Sequence, residues 1–277
     1  MTIPFSAVQK QRLREMNVDS ALINQEFRDA RARDIAFRDI EKKAIRNGRE
    51  RIAGLQKNRF RPLLCELEDS LVETLTREGF VQVATPLIIA RQMLAKMSIT
   101  PDHPLSKQVF WVAENRCLRP MLAPNLYALL KRLIRLWEKP IQIFEVGPCF
   151  RKESRGGQHC TEFTMLNLVE LGMPEGNRAR RLEELVAVVM RASGIETYDL
   201  VANPSEVYGE TIDVVSGLEV GSAAMGPHRL DGRWGIFDPW VGVGFGLERL
   251  VMVREKFQNI QRVGRSLEYL DGVRLNI

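Results

Sequence analysis

The sequence predicts an α+β domain, in which an antiparallel sheet is flanked by helices and preceded by an α-helical N-terminal extension. Two apolar runs flank a polar loop between Phe144 and Leu171, which is the pattern of a long antiparallel hairpin. Glycines alternate along residues 242–246 and lead directly into the helix-favouring residues 247–252. We expect all strands to be antiparallel, with the helices on one side of the sheet. Three further runs read as strands: 198–202, 210–215 and 218–225.

Length and composition fit one sizeable catalytic domain with a small appendage. The chain has 277 residues, of which 45% are hydrophobic and 27% charged, as in ordinary globular proteins. No apolar run approaches the roughly 20 residues of a membrane span, and the N-terminus lacks the pattern of a signal peptide. The four cysteines are scattered and there are three histidines, so we expect reduced thiols in a cytoplasmic protein, without a zinc site.

Positive charge is concentrated at the N-terminus. Residues 1–61 hold 15 Lys and Arg against 8 Asp and Glu, a balance of +7, so the remainder of the chain carries −2 of the net +5. A basic appendage on a nearly neutral body favours a polyanionic partner, although a solvated helix surface has the same composition. We therefore divide the chain into a helical basic extension, 1–61, and a catalytic domain, 62–277.

The extension is predicted to be helical throughout. Ser6 is a plausible N-cap for a short helix that ends near Met16. A second helical stretch runs from about residue 20 to 46, where Asn47 and Gly48 are expected to end it, and a further short helix reaches about residue 56. The candidate buried positions of this region are apolar: Leu22, Phe27, Ala30, Ile35, Phe37 and Ile40.

Pro62 is well placed to begin a helix and Gly79 to follow its end, and the segment 80–86 then reads as a strand. Leucines recur through that helix at helical spacing. Further on, a helix is expected over 90–97 and a strand pair over 107–112 and 116–119 that turns at residues 114–115. Two more helices are predicted, one opening at Pro124 and one over 178–192 that Gly194 closes.

The ends of the central hairpin carry residues suited to an adenine nucleotide. Arg151 can pair with a phosphate in bidentate fashion, Glu153 can accept from the exocyclic amine of adenine, and Phe163 can stack on the base. An ordinary solvated hairpin tip would use the same residue types, so this pattern alone does not decide between the two interpretations.

A second stretch strengthens the nucleotide interpretation. Glycines at 242, 244 and 246 remove side chains from one face of a strand, so a flat ligand can lie against its backbone. Arg249 follows in the first turns of a helix, where a cation is well placed for phosphate. The spacing does not match a dinucleotide-binding turn, which needs G-x-G-x-x-G near the front of a βαβ unit.

Together these stretches resemble the motifs of the class II aminoacyl-tRNA synthetases. Residues 62–86 are similar to motif 1, the Arg-x-Glu, loop, Phe pattern to motif 2, and Gly-x-Gly-x-Gly-x-Glu-Arg to motif 3. Within the class, the sequence resembles the pyrrolysyl-tRNA synthetases from about residue 60 onward. Five segments carry that resemblance: 118–127, 150–154, 162–172, 207–214 and 238–250.

The resemblance implies a two-step reaction: an amino-acid carboxylate attacks the α-phosphorus of ATP, and a tRNA hydroxyl then takes the aminoacyl group. It assigns Arg151 to the α-phosphate and carboxylate and Arg249 to the γ-phosphate. Glu153 reads the adenine amine, with Phe163 and Arg249 on either side of the ring. His159, in the hairpin loop, matches a phosphate contact, although a lone loop histidine is more often simply solvated.

Magnesium and amino-acid sites follow from the same resemblance. Glu219 and Ser222 match the family's Mg²⁺ ligands, and hard oxygen ligands shared with ATP phosphates suit that ion. Asn167 would orient a ligand carbonyl, because a buried amide must be hydrogen-bonded, and Tyr208 matches a mobile lid. The matching pocket positions are Leu122, Ala123, Leu126, Tyr127, Met165, Asn167, Val169, Tyr208, Ala224, Trp240 and Gly242.

The implied partners are tRNA, pyrrolysine or an analogue, and a second copy of the chain. In this class motif 1 forms the homodimer interface, but the leucine spacing of 63–75 fits core packing equally well. The chain resembles the short family form, which works alone or beside a separately encoded N-terminal tRNA-binding protein. Val169 replaces a cysteine used elsewhere in the family. Alternatives are a class II synthetase for another amino acid and a catalytically silent tRNA-binding paralogue.

Overall fold

A computed structural model describes residues 2–58, 61–152, 157, 159–205 and 207–277 of the chain. Its N-terminal part has a small apolar core of its own, built on Phe5, Leu13 and Ile23. Ser6 caps the first helix through a capping box with Gln9, as the sequence predicted. The elements here are β1 (Ile3–Pro4), α1 (Ala7–Glu15), α2 (Ser20–Ile23), β2 (Glu26–Phe27) and α3 (Ala30–Asn58).

Three expectations for this region are wrong. The stretch 20–46 is not one helix, because α2 ends at Ile23 and β2 pairs with β1 before α3 begins. The helix does not end at Asn47 and Gly48, because α3 continues without a break to Asn58. Gly48 instead permits a close approach, since a Cβ there would lie 2.7 Å from Cδ1 of Ile277. Among the positions expected to be buried, Leu22 and Ile35 remain 39% and 51% exposed. Tertiary contact with the C-terminal residues therefore overrides a local helix-stop pattern.

The next segment begins with the predicted leucine helix. Its elements are α4 (Leu63–Arg77), β3 (Val81–Gln82), β4 (Ile88–Ala90), α5 (Arg91–Lys96), α6 (Pro104–Gln108), β5 (Trp111–Ala113), β6 (Arg116–Leu118) and α7 (Ala123–Leu133). Leu67, Leu71 and Leu75 are buried within the protomer, so the leucine stripe is core packing. The strand expected over 107–112 starts as helix α6, because His103 caps that helix and Pro104 opens it.

The remaining elements supply most of the main sheet. They are β7 (Ile141–Phe150), β8 (Glu162–Leu171), α8 (Arg178–Ala192), β9 (Asp199–Ser205), β10 (Gly209–Ser216), β11 (Leu218–Gly226), α9 (Asp231–Trp234), β12 (Trp240–Gly246), α10 (Leu247–Arg254), β13 (Tyr269–Leu270) and β14 (Val273–Arg274). The predicted hairpin, the strands that follow it and the helix over 178–192 are thus all present. No helix in the described ranges is long and apolar enough to cross a bilayer.

Seven strands form the main sheet in the order β3-β7-β8-β12-β11-β10-β9. All neighbours are antiparallel except β3, which runs parallel to β7, so the expectation of a wholly antiparallel sheet is wrong at this edge. After β3 the chain forms a separate three-stranded sheet, in the order β4-β6-β5, and then α7. It re-enters the main sheet at β7 in the same direction as β3, which is the crossover that a parallel pair needs.

Helices lie on both faces of the sheet, not on one. On one face α4, α8 and α10 bury the main core, which includes Leu71, Val186 and Phe245. On the other face α5, α7 and α9 cover one end of β7 and β8 through a second core that includes Leu94, Tyr127 and Trp234. The rest of this second face is open, and the cavity described next lies there.

Candidate active site: a two-ended cavity on the open face of the sheet

A cavity of about 540 Å³ lies on the open face of β8, β12 and β11, beside α7. Strand alternation selects the β8 side chains that reach it: Phe163, Met165, Asn167 and Val169 all line the cavity. Leu166, on the opposite side of the same strand, packs in the main core. The face assignment predicted for this strand is therefore confirmed.

The glycines of β12 form the floor of the cavity. Val241, Val243 and Phe245 are fully buried in the main core, so the intervening glycines face the cavity. Gly244 pairs with Asn167 in the strand register. A Cβ at Gly244 would stand 3.6 Å from Oδ1 of Asn167, so the glycine keeps the space above this amide clear.

A β-bulge in β11 brings Glu219 and Ser222 to the same face. Strict alternation would place side chains three residues apart on opposite faces of a strand. Here Val214 pairs with Gly221 and Val215 with Glu219, so one extra residue is inserted between them. Both predicted magnesium ligands line the cavity as a result. Ser222 Oγ also donates to Asp213 at 2.8 Å, which adds a further carboxylate nearby.

Two guanidiniums lie at the end of the cavity near the hairpin tip and α10. Nε of Arg151 donates to the carbonyl of Pro120 at 2.9 Å, and its Cζ lies 5.2 Å from the centroid of the Phe163 ring. Nη1 of Arg249 donates to the carbonyl of Glu219 at 2.9 Å. The predicted placement of an adenine between Phe163 and Arg249 stays a prediction.

The hairpin loop is described only in part. His159 lines the cavity, and Glu153 lies outside the described residues. The amide of Ile260 donates to the carbonyl of Gly157 at 2.8 Å, so a C-terminal turn supports the loop. Cys160 also lines this end, and burial raises the pKa of its thiol to about 11, which keeps it a neutral wall residue.

The other end of the cavity is apolar and aromatic. Helix α7 contributes one wall and the Trp240 indole another, and Tyr208 lies against both Trp240 and His228 at ring separations of 6.5 and 5.7 Å. Leu122 is fully buried at the start of α7 and does not line the cavity. The predicted residues that do line this end are Ala123, Leu126, Tyr127, Met165, Asn167, Val169, Tyr208, Ala224, Trp240 and Gly242.

Sequence reasoning missed Asp231, a carboxylate with 1% exposure behind the aromatic wall. It accepts hydrogen bonds from the Tyr127 hydroxyl at 2.9 Å, from Nε1 of Trp240 at 2.7 Å and from the amide of His228 at 2.6 Å. Tyr127 and Asp231 are 104 residues apart, so no local pattern pointed to this contact.

Glu248 was also missed, although it precedes Arg249 in the predicted motif. Both of its carboxylate oxygens accept from the amide of Thr164, at 2.8 and 2.9 Å, which fixes the start of α10 to β8. Burial raises the pKa of Glu248 to about 7, and its hydrogen bonds with Thr164 oppose that shift only in part. The motif glutamate thus holds the cavity wall in place.

A buried polar network fixes α7 relative to the sheet. Arg119 and Glu145 form an ion pair at 2.6 Å, with side-chain exposures of 1% and 3%. Thr85 donates to both oxygens of Glu145, at 3.0 Å through its amide and 2.6 Å through its hydroxyl. Nδ2 of Asn125 in α7 donates to that hydroxyl at 2.6 Å. The network satisfies the buried charges and thereby sets the position of Tyr127 and its neighbours.

The basic extension contacts the C-terminal part of the chain. Arg51 pairs with Asp271 at 2.7 Å. Nη2 of Arg262, which is 3% exposed, donates to the carbonyl of Arg14 at 3.0 Å and also to that of Glu15. The end of α1 is therefore held by a side chain of the body.

Comparison with known proteins identifies a family model and several similar proteins. Residues 51–271 match the family model "tRNA synthetases class II core domain (F)". Two solved structures of pyrrolysyl-tRNA synthetase from Desulfitobacterium hafniense are each 54% identical: one has a TM-score of 0.94 over 100% of both chains, and the other 0.92 over 99% of this chain and 98% of that one.

A curated relative is the phenylalanine–tRNA ligase alpha subunit of Methanothermobacter thermautotrophicus. It is 27% identical over 145 residues, which is 49% of this chain, and the match spans 28% of the relative's length.

Proposed function

The chain belongs to the class II aminoacyl-tRNA synthetases and, within them, to the pyrrolysyl-tRNA synthetase family, and on this premise we propose that it uses ATP to attach pyrrolysine, or a closely related N6-acylated lysine, to its tRNA. The observation that carries the proposal is one continuous cavity with guanidiniums at one end and an aromatic chamber at the other. A nucleotide and a long apolar side chain fit those two ends respectively.

The cationic end suits the activation step. Arg151 and Arg249 approach the cavity from different elements, so they can neutralise charge on both sides of an α-phosphate during in-line attack. Phe163 offers a face for the adenine ring, and His159 adds a hydrogen-bonding group near the phosphates. Glu153 is assigned to the adenine amine on the resemblance alone.

The apolar end suits a lysine chain that is neutral at its tip. Its walls are Leu126, Tyr127, Val169 and Trp240, and Asn167 lies on its floor with the amide facing the cavity. One amide in an apolar chamber can orient one carbonyl, which an N6-acyl group supplies. Tyr208 lines the cavity and packs on Trp240, and the resemblance assigns it the role of a lid over the bound side chain.

Glu219 and Ser222 are the residues that would hold Mg²⁺. Their donor set fits the ion, since the Glu219 side chain is half exposed and the Ser222 hydroxyl donates its hydrogen to Asp213, which leaves the lone pairs of its oxygen available. When bound, the ion would neutralise phosphate charge. The protein's own contribution is to hold these oxygens on one face of β11 by means of the bulge.

The tRNA and a second protomer are the proposed macromolecular partners. The excess of +7 over residues 1–61 supports phosphate contacts from the extension. Val81, Leu87 and Ile88, beside motif 1, are 40–46% exposed and would become covered in a homodimer. A separately encoded N-terminal tRNA-binding protein remains a candidate partner, and the free thiols support a cytoplasmic location.

ATP–pyrophosphate exchange with a panel of amino acids tests the proposal. We expect exchange with pyrrolysine and with N6-acyl-lysines, and none with lysine or phenylalanine. Exchange with a different amino acid would indicate another class II specificity. Binding of tRNA without any exchange would indicate a silent paralogue and overturn the proposal.

A further inference from the structure

Asp231 connects the two aromatic walls of the amino-acid chamber. Its Oδ1 accepts from the hydroxyl of Tyr127, which comes from α7, and its Oδ2 accepts from Nε1 of Trp240, which begins β12. The same Oδ2 accepts from the amide of His228, so three donors converge on one buried carboxylate. Both ring residues line the cavity, whereas Asp231 stands behind them.

Ring–ring contacts also hold Tyr127 and Trp240, but they do not fix the in-plane orientation of either ring. The Tyr127 ring stacks on Trp234 at 5.4 Å and meets the edge of Trp240 at 5.8 Å. Stacked rings can slide or turn in their own plane at little cost, whereas hydrogen bonds at the ring tips fix that direction. Within the described part of the chain, the carboxylate therefore accepts the only side-chain hydrogen bonds that either ring makes.

The Trp240 indole is confined from the opposite side as well. A Cβ at Gly226 would lie 1.7 Å from Nε1 of Trp240, so the indole rests directly on the glycine backbone. Asp231 and Gly226 thus fix the position of the Trp240 indole. Asp231 also hydrogen-bonds Tyr127, so it fixes the position of Tyr127 relative to Trp240. The separation of the two walls is then set by one side chain.

No carboxylate oxygen of the described residues lines the apolar chamber. Among the described lining residues the acids are Glu219 and Glu248, both at the nucleotide end. Asp231 keeps its charge, but its oxygens are engaged by three donors behind the rings. A free lysine ammonium would find no carboxylate to pair with directly in this chamber, which is unfavourable, whereas an N6-acyl group is neutral and needs none.

We propose that Asp231 is a specificity-determining positioning residue, which fixes the separation of Tyr127 and Trp240 and thereby selects a ring-capped, neutral lysine side chain. The inference rests on the proposed function and names the residue that sets its substrate class. Alanine removes all three acceptor contacts. Asparagine could retain them, because its oxygen can accept from Trp240 and His228 while its amide donates to the Tyr127 hydroxyl, which can also accept.

The test compares Asp231→Ala with wild type in pyrophosphate exchange, using pyrrolysine and N6-acetyl-lysine. We expect the KM for pyrrolysine to rise about tenfold with little change in kcat, as for loss of one buried hydrogen bond. The ratio of kcat/KM for pyrrolysine to that for N6-acetyl-lysine should fall by a similar factor. The KM for ATP should not change, because the nucleotide end is untouched.

Glu170→Gln is the matched control. Glu170 is a buried carboxylate, 6% exposed, on the opposite face of β8, and it accepts from Gln142 and Arg181, both at 2.9 Å. The Glu170→Gln variant should have lower thermal stability, but its ratio of kcat/KM for pyrrolysine to that for N6-acetyl-lysine should equal that of wild type. Asp231→Ala combined with Tyr127→Phe should raise KM by less than the product of the single effects, because both act through the same ring.

An unchanged substrate ratio in folded Asp231→Ala, or fully multiplicative effects in the double variant, would overturn the inference. If Asp231→Ala fails to fold, Tyr127→Phe and Trp240→Phe decide the matter, since each removes one donor and leaves the carboxylate. A wild-type ratio in both would overturn the inference, and a reduced ratio would support it. Failure of the wild-type protein to activate any N6-acyl-lysine would instead refute the proposed function.

Discussion

The guanidinium of Arg119 lies directly on the backbone of Gly147: a Cβ built on this glycine would stand 2.3 Å from Nη2 of Arg119. Arg119 donates to Glu145 at 2.6 Å, two residues earlier on the same strand. The glycine therefore leaves the room in which a buried ion pair can form, and that pair in turn connects β7 to the loop that precedes α7.

Gly147→Ala should displace Arg119 and leave the buried Glu145 carboxylate without its cationic partner. We expect a loss of about 3 kcal/mol in the free energy of unfolding, as for a broken buried ion pair. Urea denaturation measures the change. Gly176→Ala is the control, since nothing lies within 4 Å of its added Cβ. Equal stability of the two variants would contradict the prediction.

Arg151→Ala and Arg249→Ala should each abolish adenylate formation in a folded protein. Each removes a charge-assisted contact worth about 2–4 kcal/mol in the transition state, which is roughly a 30-fold to 10³-fold loss of rate. Pyrophosphate exchange is the measurement. Arg180→Ala, at an exposed ion pair on α8, should leave the rate unchanged. Near-normal exchange in either cavity variant would rule out the nucleotide assignment.

Asn167→Ala should impair pyrrolysine activation and admit aromatic amino acids. It removes the hydrogen bond to the ligand carbonyl, worth about 1–3 kcal/mol, and enlarges the chamber above Gly244. Tyr127→Ala should instead deepen the chamber and admit bulkier lysine derivatives. Exchange assays with pyrrolysine, a bulky acyl-lysine and phenylalanine distinguish the two. Unchanged pyrrolysine activation and no gain with phenylalanine in Asn167→Ala would refute the pocket assignment.

Exposed cations of the extension should contribute to tRNA binding and not to amino-acid activation. Arg31, Lys42 and Arg49 are exposed on α3. Replacing any one of them by Gln should weaken tRNA binding. For each lost phosphate contact, the slope of log affinity against log salt should fall by about 1. Arg180→Gln serves as a control outside the extension. Slopes equal to that of wild type in all three variants would contradict the prediction.

Glu248 should make stability depend on pH. Burial raises its pKa from 4.5 to about 7 in the folded protein, so the native state binds the proton more tightly than the unfolded state. Its contribution to the free energy of unfolding is therefore full below pH 4.5 and falls by up to about 3 kcal/mol as pH rises through 7. The stability difference between wild type and Glu248→Gln should follow this curve. A difference that grows in favour of wild type with rising pH would contradict it.

Local periodicity made much of the fold predictable. The face assignment of β8 rests on strict alternation, and the structure has Asn167 opposite Gly244 as that alternation requires. The helix over 178–192 has its predicted bounds, because its apolar spacing and Gly194 are local features. Patterns that involve only near neighbours can be read from sequence.

Long-range contacts were not predictable in the same way. Gly48 resembles a helix stop, but its role depends on Ile277, far along the chain. Alternation alone would separate Glu219 from Ser222, and only the pairing of β10 with β11 reveals the bulge. Asp231 is a lone acidic residue in a loop-rich stretch until the fold brings Tyr127 to it. Each of these features depends on a contact with a residue that is distant in sequence, so local patterns could not predict it.

The contacts of Arg262 imply that the N-terminal helices cannot easily be exchanged for those of a related protein. Its buried side chain donates to the carbonyls of Arg14 and Glu15 as well as to that of Gly272, at 2.5 Å within the body. Cutting away α1 would leave part of a buried cation unsatisfied, so the damage would reach beyond the deleted residues. A chimaera that borrows its extension from a relative would need a helix ending at the same place, with its carbonyls aimed at this one guanidinium.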